Sequence, residues 1–151
     1  MTAYLLDTNV LLALAWPNHV HHREALEWFT LKAAGSFRTC PITETGFVRI
    51  SCNAAFMTPA VSPAEALGLL ARITRLSGHG FWPDDLPLEG AFPASVILGH
   101  HRHITDGYLL ALAAAHDGIL ATLDRGMLPL ARQWPGRVEL VAGNSGQGIP
   151  A

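Results

Sequence analysis

An α/β fold, with a mostly parallel central sheet flanked by helices, is what this sequence predicts on three observations. Short apolar runs of strand length alternate along the chain with longer stretches of helical periodicity. No internal repeat and no long linker divides the 151 residues, a length that one domain accommodates. The first apolar run, Tyr4-Leu5-Leu6, ends in Asp7, Thr8 and Asn9 before apolar residues resume. A strand that delivers an acid to its carboxyl end places charge where open α/β sheets keep their ligand crevice. Burying that charge alone would cost several kcal/mol or force its protonation, so Asp7 calls for a partner.

The elements follow in order. Residues 4–7 form a buried strand, and residues 9–15 a short helix that Trp16-Pro17-Asn18 ends. Ala25, Leu26, Trp28, Phe29 and Ala33 give residues 21–34 a helical stripe, broken by Gly35-Ser36. Phe37 to Cys40 is a second strand stopped by Pro41; Thr43 is a plausible cap for the helix that follows, with Glu44 in its first turn. Ser62-Pro63-Ala64-Glu65 has the form of a capping box with proline at the first helical position. Residues 78–83 make a short strand or extended link, 84–93 a loop and 94–98 a helical turn. His100-His101-Arg102-His103 leads to Thr105, which can cap a nearly continuous apolar helix running to His116. Residues 119–123 are a strand ended by Asp124-Arg125-Gly126, and residues 138–141 an edge strand. Residues 1–142 are thus one domain, and 143–151 a flexible tail.

Composition narrows the class. Half the residues are hydrophobic and only 15% charged, with a mean hydropathy of +0.26; this apolar excess points to a protein interface or to a generic Ala/Leu-rich chain. Cys40 and Cys52 form no spaced motif, which fits a reducing cytosol. The amino terminus lacks a basic run, and no apolar run is long enough to span a bilayer. A cytoplasmic protein with no membrane role is expected. The net charge of −2 argues weakly against a nucleic-acid partner, although nine of the ten basic residues are arginine, the better fork for phosphate.

Four acids deserve separate treatment. Glu44 opens a helix favourably, yet shares an apolar face with Phe47 and Val48 and should point inward. Asp106 likewise opens a helix that is apolar nearly all round. Asp124 ends a strand as Asp7 does, although Asp-Arg-Gly is also ordinary turn chemistry, and Thr122 shares its strand face. Two acids at strand ends and two at helix starts belong to the same edge of a parallel sheet. Carboxylates some 4–8 Å apart repel by about 2–4 kcal/mol per pair at an effective dielectric near 20. A divalent cation offsets such repulsion, and all-oxygen ligation suits Mg²⁺, or Mn²⁺, completed by water. Removing four negative charges from −2 leaves a remainder of +2, so net charge no longer opposes a nucleic-acid substrate.

Those motifs, Leu6-Asp7-Thr8-Asn9-Val10-Leu11, Thr43-Glu44 with Phe47 and Arg49, Thr105-Asp106-Gly107-Tyr108 with the apolar run behind it, and Leu120-Ala121-Thr122-Leu123-Asp124-Arg125-Gly126, resemble those of PIN-domain ribonucleases. The likeness is specifically to VapC-type toxins of type II toxin–antitoxin pairs, and it covers nearly the whole chain. It implies a three-layer PIN-like domain, Mg²⁺-dependent cleavage of RNA, a homodimer, and a small VapB-like antitoxin that blocks the site. By position it makes Asp7, Glu44, Asp106 and Asp124 the catalytic, metal-binding acids, with Asn9 and Thr122 supporting them. Arg102 in the histidine-rich run, and Arg49, are candidate RNA contacts. Gly107 stands where relatives often have alanine.

Other readings stay open. The same fold serves RNA-processing nucleases, and modules that bind RNA or protein without cutting. Zinc held by His100, His101 and His103, with His19, His21 or His22, lacks any cysteine at ligand spacing. A phosphatase of the haloacid dehalogenase type wants a second aspartate where Asn9 stands. An RNase H-like fold would follow its first strand with hairpins rather than the helix expected at Val10.

Overall fold

The structure is a computed structural model, described here over residues 1–142; the tail expected at 143–151 lies outside the described residues. Five strands and the helices between them alternate as β1 (Tyr4–Leu6), α1 (Thr8–Ala15), α2 (His22–Trp28), β2 (Phe37–Thr39), α3 (Pro41–Ser51), α4 (Pro63–Thr74), β3 (His79–Phe81), α5 (Leu88–Ala91), α6 (His103–Ala115), β4 (Ile119–Thr122), α7 (Leu128–Ala131) and β5 (Val138–Leu140). Every pairing is parallel, in the order β3-β2-β1-β4-β5. The register sets Leu5 beside Arg38 on one side and Leu120 on the other.

The strand period of two divides the core. Leu5 and Leu120 face α6 and α7, packing with Leu109, Leu112, Met127 and Leu130. Leu6, Phe37 and Ala121 face the opposite layer, with Val10, Leu11, Phe47 and Leu70. Both layers bury fully apolar side chains, so the central strands read as continuous hydrophobic runs, as parallel strands covered on both faces do. Three layers result. The chain builds outward from β1 through β2 to β3, then returns to lay β4 on the other side of β1. The reversal puts the ligand crevice at the carboxyl ends of β1 and β4.

Several boundaries differ from expectation, each for a local reason. Asp7 itself is the N-cap of α1, so the helix starts at Thr8. The helix expected over 21–34 ends as α helix at Trp28 and continues as a π turn, Phe29–Ala33, with the Thr30 hydroxyl donating to the Leu26 carbonyl at 2.8 Å. Cys40, not Thr43, caps α3; Thr43 sits at its third position and accepts the Cys40 N–H at 3.1 Å. The short helix lies at Leu88–Ala91 rather than 94–98. Gln133 instead clamps the backbone there, accepting from Ile97 N–H and donating to Ile97 O. The capping box at Ser62 and Glu65 forms as read.

α6 begins at His103 rather than after Thr105, because the histidine run supplies the preceding turn: His103 N–H bonds to His100 O, and Arg102 N–H to His100 Nδ1. Residues 107–113 of α6 are buried throughout. A Cβ at Gly107 would stand 2.9 Å from the Phe92 ring, which accounts for glycine at this point. Among the described residues no helix is long and apolar enough to cross a membrane.

Candidate functional site

Asp7 lies at the switch point. Its Oδ1 accepts the Thr8 N–H at 2.8 Å, and its Oδ2 accepts the Thr122 hydroxyl at 2.7 Å. Thr122 ends β4, is fully buried, and fills its hydrogen-bonding capacity at that one oxygen. While donating to Asp7 it accepts from Asn9 Nδ2 at 3.2 Å and from the Asp124 N–H at 3.1 Å. Asn9 Oδ1 in turn accepts the Leu123 N–H at 3.1 Å. One threonine hydroxyl thus joins Asp7, Asn9 and Asp124 across the gap between β1 and β4.

Asp124 performs the turn chemistry its sequence suggested, accepting the Gly126 N–H at 2.8 Å. It nevertheless lines a cleft together with Asp106, from the first turn of α6. Asp7 joins both acids in a cavity of about 330 Å³. Burial pushes the Asp7 carboxyl up from its ordinary value, against the Thr122 and Thr8 hydrogen bonds, and Asp124 repels it further. Asp106 is pushed up to about 7, first by burial and then by the charges of Asp7 and Asp124. Three acids from three elements therefore share one under-compensated field.

Glu44 does not join them. It lines neither the cavity of the three acids nor the cleft of Asp106 and Asp124; its Oε1 accepts the Thr39 hydroxyl at 2.7 Å, and Thr39 Oγ1 lies 2.7 Å from His79 Nε2. The expectation that Glu44 turns inward holds, since it is half-buried beside buried Phe47. Helical geometry sends it elsewhere: Ile42, Gly46, Arg49 and Ile50 form the face of α3 toward the cleft, and Glu44 lies on the far side. That face sits close to α1, since a Cβ at Gly46 would fall 2.7 Å from Thr8 Oγ1.

Arg49 and Arg102 both line the cleft beside Asp106 and Asp124, with His100 and His103. Both arginines are exposed, and among the described residues neither forms a salt bridge. Of the histidines read as auxiliary zinc ligands, two use Nδ1 within the protein: His19 Nδ1 accepts the His21 N–H at 3.0 Å, and His22 Nδ1 bonds to Ala13 O at 2.7 Å.

Among the described residues no three His, Cys, Asp or Glu side chains converge as a ready cage for a metal. The donors nonetheless fit a hard cation that keeps its water. Mg²⁺ needs only one or two protein carboxylates in an octahedron otherwise filled by water, and Asp7, Asp106 and Asp124 offer only oxygen. Sequence reasoning did not find the Leu12, Ile50, Phe56 and Met57 wall of the cavity, nor Thr39 and His79 beside Glu44. No one-dimensional pattern marks a wall assembled from α1, α3 and the loop after α3.

The comparisons with known proteins identify the family and the fold. The PIN domain family model matches residues 4–132. Ribonuclease VapC39 of Mycobacterium tuberculosis is 51% identical over 125 residues, spanning 82% of this chain and 89% of that relative. Ribonuclease VapC38 of the same organism is 42% identical over 131 residues, spanning 87% and 92%. Among solved structures, FitAB bound to an IR36 DNA fragment overlays with a TM-score of 0.60 at 21% identity, covering 91% of this chain and 94% of that one. VapBC2 from Rickettsia felis, bound to a DNA fragment from its promoter, has a TM-score of 0.60 at 11% identity, covering 92% and 98%; both share the fold. The chain belongs to the PIN-domain family, among the VapC-type members.

Proposed function

We propose that this chain is a Mg²⁺-dependent endoribonuclease, with Mn²⁺ as a substitute, and the toxin of a toxin–antitoxin pair. The single observation that carries this is the convergence of Asp7, Asp106 and Asp124 on one cavity, two of which, Asp106 and Asp124, also line the adjoining cleft with Arg49 and Arg102. Relatives named as ribonucleases support RNA as the substrate. In this reading Asp7, Asp106 and Asp124 hold the cation, and Thr122 and Asn9 keep Asp7 oriented. Arg49 and Arg102 take backbone phosphates of the substrate, as exposed guanidinium forks do. Glu44, the fourth ligand by resemblance, would have to release Thr39 to reach the cation. A cation bound there lowers the pKa of its water and stabilises charge developing on the phosphodiester.

The solved complexes VapBC2 and FitAB support a protein partner, here a small VapB-like antitoxin; a cytoplasmic setting is part of the same proposal. Homodimerisation is part of the proposal, supported by exposed Val20, Leu31 and Ile97. One observation favours a second reading, a PIN module that binds RNA or protein without cutting it: Glu44 is engaged away from the other acids. Purified protein incubated with RNA in Mg²⁺, in Mn²⁺ and in chelator separates the two. Cleavage that stops in chelator is expected; RNA bound but intact under all three conditions would refute catalysis.

A further inference from the structure

The acids stand between two unlike flanks. On one side the cleft carries two guanidinium groups, Arg49 and Arg102, with His100 and His103 beside them. The cavity on the other side has no lysine or arginine in its lining; beside the acids it is walled by Leu12, Ile50, Phe56 and Met57, with His19 at its margin. Its volume of about 330 Å³ falls at the small end of ligand pockets, roughly 300–1,000 Å³.

Two of these residues have defined chemistry. Phe56 is 51% exposed, although Met57 beside it is buried. The turn that carries Phe56 is pinned by its N–H to Asn53 O at 3.0 Å, and by Ala55 N–H to Asn53 Oδ1 at 2.9 Å. Among the described residues Phe56 packs against no other ring, so its face is free to accept one. His19 is fixed as a donor. A backbone N–H can only donate, so the His21 amide makes His19 Nδ1 an acceptor and leaves the neutral ring's proton on Nε2. Burial, then His21 and His22, hold His19 below the usual imidazole range.

Beyond the acids and the cation they would hold, this wall offers a phosphate no lysine or arginine, whereas the other flank offers two arginines. A flat, uncharged group with hydrogen-bond acceptors on its edge matches all the wall offers. We propose that this flank receives the base of an unpaired ribonucleotide next to the scissile phosphate, stacked on Phe56 and bonded at its edge by His19. The inference rests on the ribonuclease reading and deepens it. Backbone is held on the arginine side, and identity is read on the apolar side, from single-stranded RNA whose bases are free to leave the stack. Phe56 and His19 are then specificity residues.

The probes are short unstructured RNAs that the wild-type protein cuts, each with a counterpart lacking the base beside the cut site. Binding is measured by anisotropy in chelator, and cut sites are mapped in Mg²⁺. Wild type should bind base-bearing RNA about 10- to 100-fold more tightly than the abasic counterpart, the range of one base stacked on an aromatic side chain. Phe56→Ala should bring that ratio close to one, and Phe56→Trp should keep it. His19→Leu should alter base preference at the cut site. Arg102→Ala should weaken both RNAs together and reduce the salt dependence, leaving the ratio alone. A wild-type ratio and cut map in Phe56→Ala would overturn the inference, as would a Phe56→Ala defect confined to binding of a protein partner, which would give the cavity to a protein side chain. If wild-type protein cuts RNA while base removal makes no difference, only this inference falls. If it cuts no RNA, the ribonuclease reading fails first.

Discussion

Replacing Asp106 by Asn reads the electrostatic strain of the cleft directly in the metal-free protein. The folded carboxyl titrates at about 7 against an ordinary value of 3.8, so burial, Asp7 and Asp124 all oppose its charge. Three units correspond to about 4 kcal/mol at 1.36 kcal/mol per unit. The side chain is only half-buried, so solvent screening reduces this to about 1–2 kcal/mol. Between pH 3.8 and about 7 the folded state holds a proton that the unfolded chain has released. Stability therefore falls as pH rises through that window and levels off above it. Asn carries no charge and escapes the penalty. In chelator at pH 8, Asp106→Asn should melt above wild type by roughly 2–8 °C, given about 2–4 °C per kcal/mol for a chain of this size. The difference should close toward pH 4. Added Mg²⁺ should raise the wild-type midpoint and leave the variant's nearly unchanged, because a ligand stabilises only the state that binds it. Thermal melts followed by circular dichroism measure all of this. A variant less stable than wild type at pH 8, or a pH-independent gap, would refute the electrostatic argument.

Three other expectations follow from named contacts. Thr122→Val removes the hydroxyl that serves Asp7, Asn9 and Asp124 and should cost about 2–4 kcal/mol in denaturant unfolding, chiefly from the bond to a buried carboxylate; Thr122→Ser should recover most of it, and a Ser variant that loses as much as the Val variant would mean that the methyl group matters as much as the network. Glu44→Gln keeps an acceptor for the Thr39 hydroxyl, so RNA cleavage should fall by less than about tenfold, or 1.4 kcal/mol; a loss as deep as that of an Asp7 variant would bring Glu44 to the cation. In solution the chain should have the mass of a dimer at micromolar concentration by light scattering, because Leu31 is 84% and Val20 80% exposed; a monomeric mass would leave those side chains without the proposed role.

The sheet edge was legible in the sequence because acids at strand ends and helix starts break an apolar pattern. Asp7 and Asp124 stood out against Leu5-Leu6 and Leu120-Ala121, and the period of two linked Thr122 to Asp124. Strand order was not legible, since β4 reaches β1 only after β2 and β3 have been laid on the other side. The part of Asp7 as helix cap also escaped, because an acid between a strand and a helix reads equally as the end of one or the start of the other. Glu44 shows the limit of a face argument. Its spacing to Phe47 and Val48 correctly placed it against protein, but spacing along one helix does not say which neighbour waits there. Thr39 and His79 come from strands β2 and β3, and only the register that sets Thr39 beside Phe81 brings them together. Phe56 had no signal at all, because a lone aromatic in a loop acquires meaning only when α1 and α3 complete the wall beside it.

The central claim is that Asp7 and its companion acids form one cation-dependent centre for cutting RNA. Single-turnover cleavage of one RNA by wild type and by Asp7→Asn, across a Mg²⁺ titration, tests it most directly. Asn preserves the size of the side chain and an acceptor for Thr8 or Thr122, so folding should survive, as its circular dichroism melt will report. Wild-type cleavage should rise with Mg²⁺ and saturate, while Asp7→Asn stays folded and cuts at no measurable rate at any Mg²⁺ concentration. Wild-type rates in Asp7→Asn, or wild-type cleavage that persists unchanged in chelator, would contradict the account.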